Sequence, residues 1–183
     1  MRFSPTPLSG AFLVDSDASA DERGSFYRTF CSDEFESNGL PGDFVQMSLS
    51  RNRSRGTLRG LHYQAAPRPE QKLVRCVRGA AYDVIVDLRK DSSTFCHWFS
   101  VELSETNRAA LFVPAGFAHG FMTLTDDTDI LYQMTEFYAP DMAAGVRWND
   151  PAFGIAWPFE PLTVSARDCG HADFRPNFCP DLC

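Results

Sequence analysis

The stretch AAYDVIVDLRK, Ala80–Lys90, alternates along its length. Tyr82, Val84, Val86 and Leu88 point one way, and Asp83, Ile85 and Asp87 the other. That period of two is the signature of a β-strand, and this is the longest such run in the chain. Reading outward, the same texture recurs. GAFLVDS is a short opening strand, GSFYRTF alternates apolar and polar residues, and DFVQMSLS, TLRGLHYQ, HWFSVELS and ALFVPAG continue the series. QKLVRCVRG alternates too, with Leu73 and Val77 off the parity of Val74 and Cys76. GFMTLTDDTDILYQMTEFY reads as a hairpin turning at Asp126 and Asp127. Prolines and glycines punctuate these runs at short intervals. Helix signals are few: SDEFES from Ser32 and SETNRAA from Ser104, each with a serine placed to cap it. The pattern is all-β, a sandwich or small barrel with a few short helices, and the tail after Trp157 is expected to wrap the surface or close one end.

The chain has 183 residues, of which 44% are hydrophobic and 22% charged, as in an ordinary soluble globular protein with room for one sizeable core. Sixteen phenylalanines point to a thick core or aromatic cavity walls. The opening residues lack the apolar region of a signal peptide and no run approaches a membrane span, so the chain reads as cytoplasmic with no membrane partner. Six cysteines at 31, 76, 96, 169, 179 and 183 contain no CxxC pair and read as reduced. A net charge of −7 argues against nucleic acid as a partner. The charge is uneven, however. Residues 51–90 hold ten Lys/Arg against three Asp/Glu, a local +7, and the remainder carries −14. A basic segment in an acidic protein suits a small anionic ligand. Arg51, Arg53 and Arg55 fit a solvated loop, whereas Arg59 and Lys72 sit inside apolar patterns.

Two short blocks carry the chemistry. In VPAGFAHGF, Val113–Phe121, the spacing Pro114, Gly116, His119 resembles the second half of the cupin signature, in which that histidine is a metal ligand. The matching first half is GLHYQ. There His62 stands at a ligand position, but Gln64 takes the place of a second histidine. Two imidazoles are too few for a tight transition-metal site, so the expectation is a cupin shape with no metal.

DERGSFYRTF, FVQ, LRGLHYQ, KLVRCVRG, YDVIVDLRKDSSTF, VPAGFAHGFMTL, LYQMTEFYAP, WNDPAFGIAWPF and SARD, in that order, resemble the 3,5-epimerases of nucleotide-linked 4-keto-6-deoxy sugars, the dTDP-4-dehydrorhamnose 3,5-epimerase family. The resemblance covers nearly the whole chain. It implies one cupin-type sugar epimerase domain over residues 1–183, a jelly roll (double-stranded β-helix barrel) that dimerises by exchanging N-terminal strands. It also implies residue roles. His62 is the general base, Asp168 its partner, Tyr132 the acid on the opposite side of the sugar, and Lys72 the ligand of the C4 oxygen. Arg23, Arg59 and His119 contact substrate, Arg23 in the partner's site, with Gln46, Ser48, Tyr138 and Arg167 as further candidates.

The residue types suit that chemistry. A ketone at C4 acidifies the C–H bonds at C3 and C5, and inversion needs a base on one face and an acid on the other. An imidazole works near neutral pH. A carboxylate on its far nitrogen fixes the tautomer, and a cation at the enolate oxygen stabilises developing charge. No redox cofactor is required. The chain departs from the family pattern at Arg28, Met47, Ser48 and Ala143. Those departures leave open dTDP against CDP or GDP, and inversion of C3, C5 or both. The alternatives are a mono-epimerase on a related keto sugar and a non-catalytic sugar-binding cupin.

Overall fold

The computed structural model describes residues 1–175 and builds them from two facing antiparallel sheets. The first runs in the order β1 (Arg2–Pro5), β2 (Phe12–Asp15), β10 (Ala110–Val113), β7 (Lys72–Arg78), β12 (Thr128–Met134), β5 (Gln46–Asn52). The second runs β13 (Ala143–Gly145), β6 (Thr57–Gln64), β11 (Phe117–Thr123), β8 (Ala80–Asp87), β9 (Trp98–Ser104), with β14 (Thr163–Val164) parallel to the start of β6. From β5 to β8, and again from β9 to β12, successive strands pass from one sheet to the other. This is the jelly-roll connectivity expected of a cupin. A separate ribbon of β3 (Ala18–Asp21) and β4 (Gly24–Tyr27) pairs only with itself.

Apolar clusters lie between the sheets and on the outer face of each. Val74, Cys76, Ile85, Leu111, Phe121 and Ile130 fill the space between them. Leu61, Val84, Val86, Leu88 and Val146 face outward from the second sheet under the segment that carries Phe153 and Trp157. Leu73, Ala110 and Phe112 face outward from the first sheet under α1 (Ser32–Ser37). The two parities of the Lys72–Arg78 strand therefore serve two different cores. In Ala80–Asp87 the aspartate-bearing face is the one that points inward, and both Asp83 and Asp87 are fully buried. Asp87 is satisfied by Arg89, Ser92 and Thr94, whereas Asp83 meets His119.

Three sequence expectations are corrected. The 117–138 stretch is not a hairpin. Phe117–Thr123 and Thr128–Met134 belong to different sheets, and the Asp126–Asp127 turn is a crossover between them. Both strands already have two neighbours and so cannot pair with each other. Ser32 does not cap its helix. Cys31 holds the N-cap position without a side-chain bond, and the Ser32 hydroxyl donates to Gly42 O and Glu36 Oε1. SETNRAA is a turn, in which Asn107 Oδ1 accepts from the backbone N–H of Ser104 and Ala109. The Asn side chain thus supplies acceptors that a helix would have taken from its own carbonyls. Of the six cysteines, Cys31, Cys76 and Cys169 are free thiols, and Cys179 and Cys183 lie outside the described residues. Among the described residues no helix is long and apolar enough to cross a membrane.

Helix α1 is held by aromatic packing. Phe35 is fully buried and meets Phe3, Phe30, Phe44 and Phe112 at centroid distances of 5.1, 5.0, 5.8 and 6.4 Å, mostly edge-on. Phe35→Ala is expected to cost about 3–5 kcal/mol. In urea unfolding this appears as a lower midpoint with an unchanged m-value.

Candidate active site

The cavity opens at one end of the space between the sheets. It has a volume of about 490 Å³, the size of a small-molecule site. Strand β6 supplies Arg59, His62 and Gln64 to its wall, and β11 supplies His119. The register pairs His62 directly with His119, which puts the two imidazoles side by side. A Cβ on Gly60 would meet Gly120 Cα at 2.7 Å and His119 O at 2.9 Å, and one on Gly120 would meet Arg59 O at 2.6 Å. Only glycine allows the two backbones to come this close, and Gly60 adopts φ +123, a region that L side chains rarely enter.

His62 lies 2.7 Å through Nε2 from Asp168 Oδ1. Asp168 belongs to α2 (Ala166–Cys169), and its backbone N–H donates to the Ser165 hydroxyl at the N-cap. Its second oxygen accepts from Gly60 N. Burial alone would raise the Asp168 pKa, but the His62 hydrogen bond and its other donors outweigh this and hold it below the ordinary carboxylate value. Burial lowers the His62 pKa, and Asp168 opposes that shift without cancelling it. The imidazole is therefore neutral near pH 7 and able to take a proton.

Tyr132, on β12, faces the cavity from the opposite sheet, with its ring 5.8 Å from that of His119 in an edge-to-face contact. Burial and then the Asp83 charge push its hydroxyl pKa up, opposed by Arg59, so it carries its proton and can donate it. His119 Nε2 sits 3.0 Å from both Asp83 oxygens. Lys72 Nζ contacts Glu70 Oε1 at 2.8 Å and donates to His62 O at 3.3 Å. Arg59 Nε donates to Asn52 Oδ1 at 2.7 Å, and the Asn52 amide is itself anchored to the backbone of Ser50 and Thr128. Gln46, Ser48, Tyr138 and Arg167 complete the wall, and Gln46 Oε1 accepts from Tyr138 N.

Ten of the eleven residues named from the sequence thus gather at one place: nine side chains line the cavity directly and Asp168 stands behind His62. Arg23 does not join them in this protomer. It lies at the turn of the β3–β4 ribbon, ion-paired with Asp21, and is not among the lining residues. Gln64 is committed to the backbone. Its amide donates to Arg68 O and Phe137 O and accepts from Ala139 N. Among the described residues the one group of three possible metal ligands is His62, Asp168 and His171, with atoms spread over up to 4.8 Å.

Sequence reasoning missed Asp83, Glu70 and Asn52. Asp83 had a signal, an acid on the inward parity of an apolar strand. Glu70 and Asn52 had none, because each acts on a partner that only the fold brings near.

The family model of dTDP-4-dehydrorhamnose 3,5-epimerase matches residues 5–175. The chain is 45% identical over 179 residues to the dTDP-4-dehydrorhamnose 3,5-epimerase of Methanothermobacter thermautotrophicus, covering 96% of each protein. Among solved structures it resembles the Bacillus anthracis dTDP-4-dehydrorhamnose 3,5-epimerase with TDP and PPi bound (TM-score 0.92, 39% identity, covering 94% of this chain and 99% of that one). It also resembles the dTDP-6-deoxy-D-glucose-3,5-epimerase of Legionella pneumophila in complex with dTDP-4-keto-L-rhamnose (TM-score 0.91, 34% identity, covering 98% and 97%).

The glycine contact yields a test. Gly120→Ala forces β6 away from β11, and overpacking of this kind costs about 1–3 kcal/mol. The expected result is that loss in denaturant unfolding, together with shifted imidazole resonances of both His62 and His119 in NMR spectra. Wild-type stability and unmoved resonances would mean that the strands absorb the methyl elsewhere.

Proposed function

The chain belongs to the dTDP-4-dehydrorhamnose 3,5-epimerase family, and we propose that it inverts C3 and C5 of dTDP-4-dehydro-6-deoxy-D-glucose to give dTDP-4-dehydro-L-rhamnose. The single observation that carries the mechanism is the placement of His62 and Tyr132 on opposing sheets across one cavity. His62, neutral and backed by Asp168, removes the proton next to the C4 ketone. Lys72 stabilises the enolate oxygen. Tyr132, protonated, returns a proton from the other side. Arg59 and Arg167 offer guanidinium groups to the diphosphate, a role in which planar, permanently charged forks excel. Ser48 and Ala143, two of the departures from the family pattern, also line the cavity, while Met47 projects outward from the same strand.

We further propose that the protein works as a homodimer, with Arg23 serving the partner's cavity. Three features support this. The β3–β4 ribbon stands alone, and two-stranded ribbons are marginal by themselves. Phe26 on that ribbon is 81% exposed. The free edge of β5 presents Met47 and Leu49 to solvent.

Incubation with the keto sugar in deuterated water, with deuterium content and configuration at C3 and C5 read by NMR, tests the chemistry. His62→Ala abolishes exchange at both carbons. Tyr132→Phe retains exchange while inversion falls sharply, because the enolate is still made but lacks its opposite-face donor. If Tyr132→Phe inverts both centres at the parent rate, Tyr132 is not the acid. The pH dependence carries a sign. The base must be neutral and its pKa is held down, so the acid limb of kcat/KM lies below the ordinary histidine value of about 6.5. Asp168→Asn removes the group that opposes this shift. The limb then moves to lower pH still, and kcat falls roughly 10²-fold or more.

Light scattering at micromolar concentration tests the assembly. The expected mass is twice that of the 20.5 kDa chain, and a clean monomer would overturn the dimer.

A further inference from the structure

We propose that Glu70 is the positioning residue and charge partner of Lys72, and that it sets the net charge of the substrate cavity. This rests on the reading of Lys72 as the ligand of the C4 oxygen. Glu70 is the only carboxylate among the described residues that line the cavity, against three basic side chains, Arg59, Lys72 and Arg167. Its Oε1 lies 2.8 Å from Lys72 Nζ, and the two side chains are only 14% and 10% exposed. A pair this well buried is held far more firmly than a surface ion pair.

The geometry gives Glu70 two effects. An ammonium has three N–H donors. One meets Glu70 and one meets His62 O, which leaves the third for the cavity. A lysine side chain has four carbons of free rotation, and this two-point anchor aims it. The Glu70 loop is itself pinned on both sides. Arg68 O accepts from Gln64, and Gln71 N donates to the Thr135 hydroxyl. The second effect is electrostatic. With Glu70 ionised the lining residues carry a net +2, and without it +3. Glu70 therefore weakens the hold on a diphosphate in return for a correctly aimed ammonium, which favours release of the product nucleotide sugar.

Two variants separate these effects. Glu70→Gln keeps an acceptor of the same length but removes the charge, and Glu70→Ala removes both. Binding of dTDP and of inorganic pyrophosphate is measured by calorimetry, and kcat and KM by steady-state assay. In Glu70→Gln both anions bind about 3–10-fold more tightly, the gain shrinking at high salt, while kcat falls less than in Glu70→Ala. In Glu70→Ala the gain in anion affinity is similar but kcat falls at least about tenfold, because Lys72 is no longer aimed. A merely structural role would lower stability and tighten nothing. Unchanged or weaker pyrophosphate binding in Glu70→Gln would overturn the charge role. Equal kcat in the two variants would overturn the positioning role. A parent protein inert on the keto sugar would refute the epimerase reading instead, and pyrophosphate binding would still decide whether Glu70 sets the charge of the cavity.

Discussion

Strands β6 and β11 approach so closely at Gly60 and Gly120 that no Cβ fits between them, and the wall of the cavity that carries His62 and His119 depends on that contact. It brings His62 and His119 into direct register on the inner face of one sheet. It also exposes the backbone N–H of Gly60 to the second oxygen of Asp168, so the backbone that places His62 places its partner as well. A side chain at either glycine would move His62, Asp168 and His119 together.

The rest of the interior follows from how polar groups survive burial. An unpaired charge inside a barrel is costly, so each buried acid near the cavity has a committed donor. Asp83 is closed by His119, Asp87 by Arg89 and two hydroxyls, and Asp168 by His62 and the backbone N–H of Gly60. Asn52 and Gln64 spend their amides on backbone groups. These networks fix the walls rigidly. A neutral imidazole, a protonated phenol, an anchored ammonium and two guanidinium groups are left facing the cavity, and each has a part in the proposed chemistry. Such preorganisation lets weak acids and bases act on a carbon acid without moving far.

The outer cores serve the same end from behind. The Phe35 cluster backs the first sheet, which carries Tyr132 and Lys72, and the Val84–Val146 cluster backs the second, which carries His62 and His119. Each sheet is thus packed against an apolar layer on both of its faces. This also explains why Ala110–Val113 and Phe117–Thr123 are buried at every position, on both faces.

Much of the site was legible in the chain. Alternation in AAYDVIVDLRK and its neighbours identified the strands, because side-chain period in a strand is a local property. PxGxxH and GLHYQ, with the ordered blocks around them, pointed to the cupin shape and to His62, His119, Lys72, Tyr132 and Asp168. The sequence by itself thus determined the longer strands, the all-β class and the catalytic candidates, but not the short strands β1, β3, β13 and β14. Pairing was beyond it. That Asp126–Asp127 crosses between sheets instead of closing a hairpin, that Ser165 rather than Ser32 caps a helix, and that Asp83 and Glu70 take His119 and Lys72 as partners were decided by the tertiary structure. The physical reason is that these contacts join residues whose proximity depends on which strand edges are already occupied. Edge occupancy is set by the packing of two whole sheets, and no local stretch encodes it.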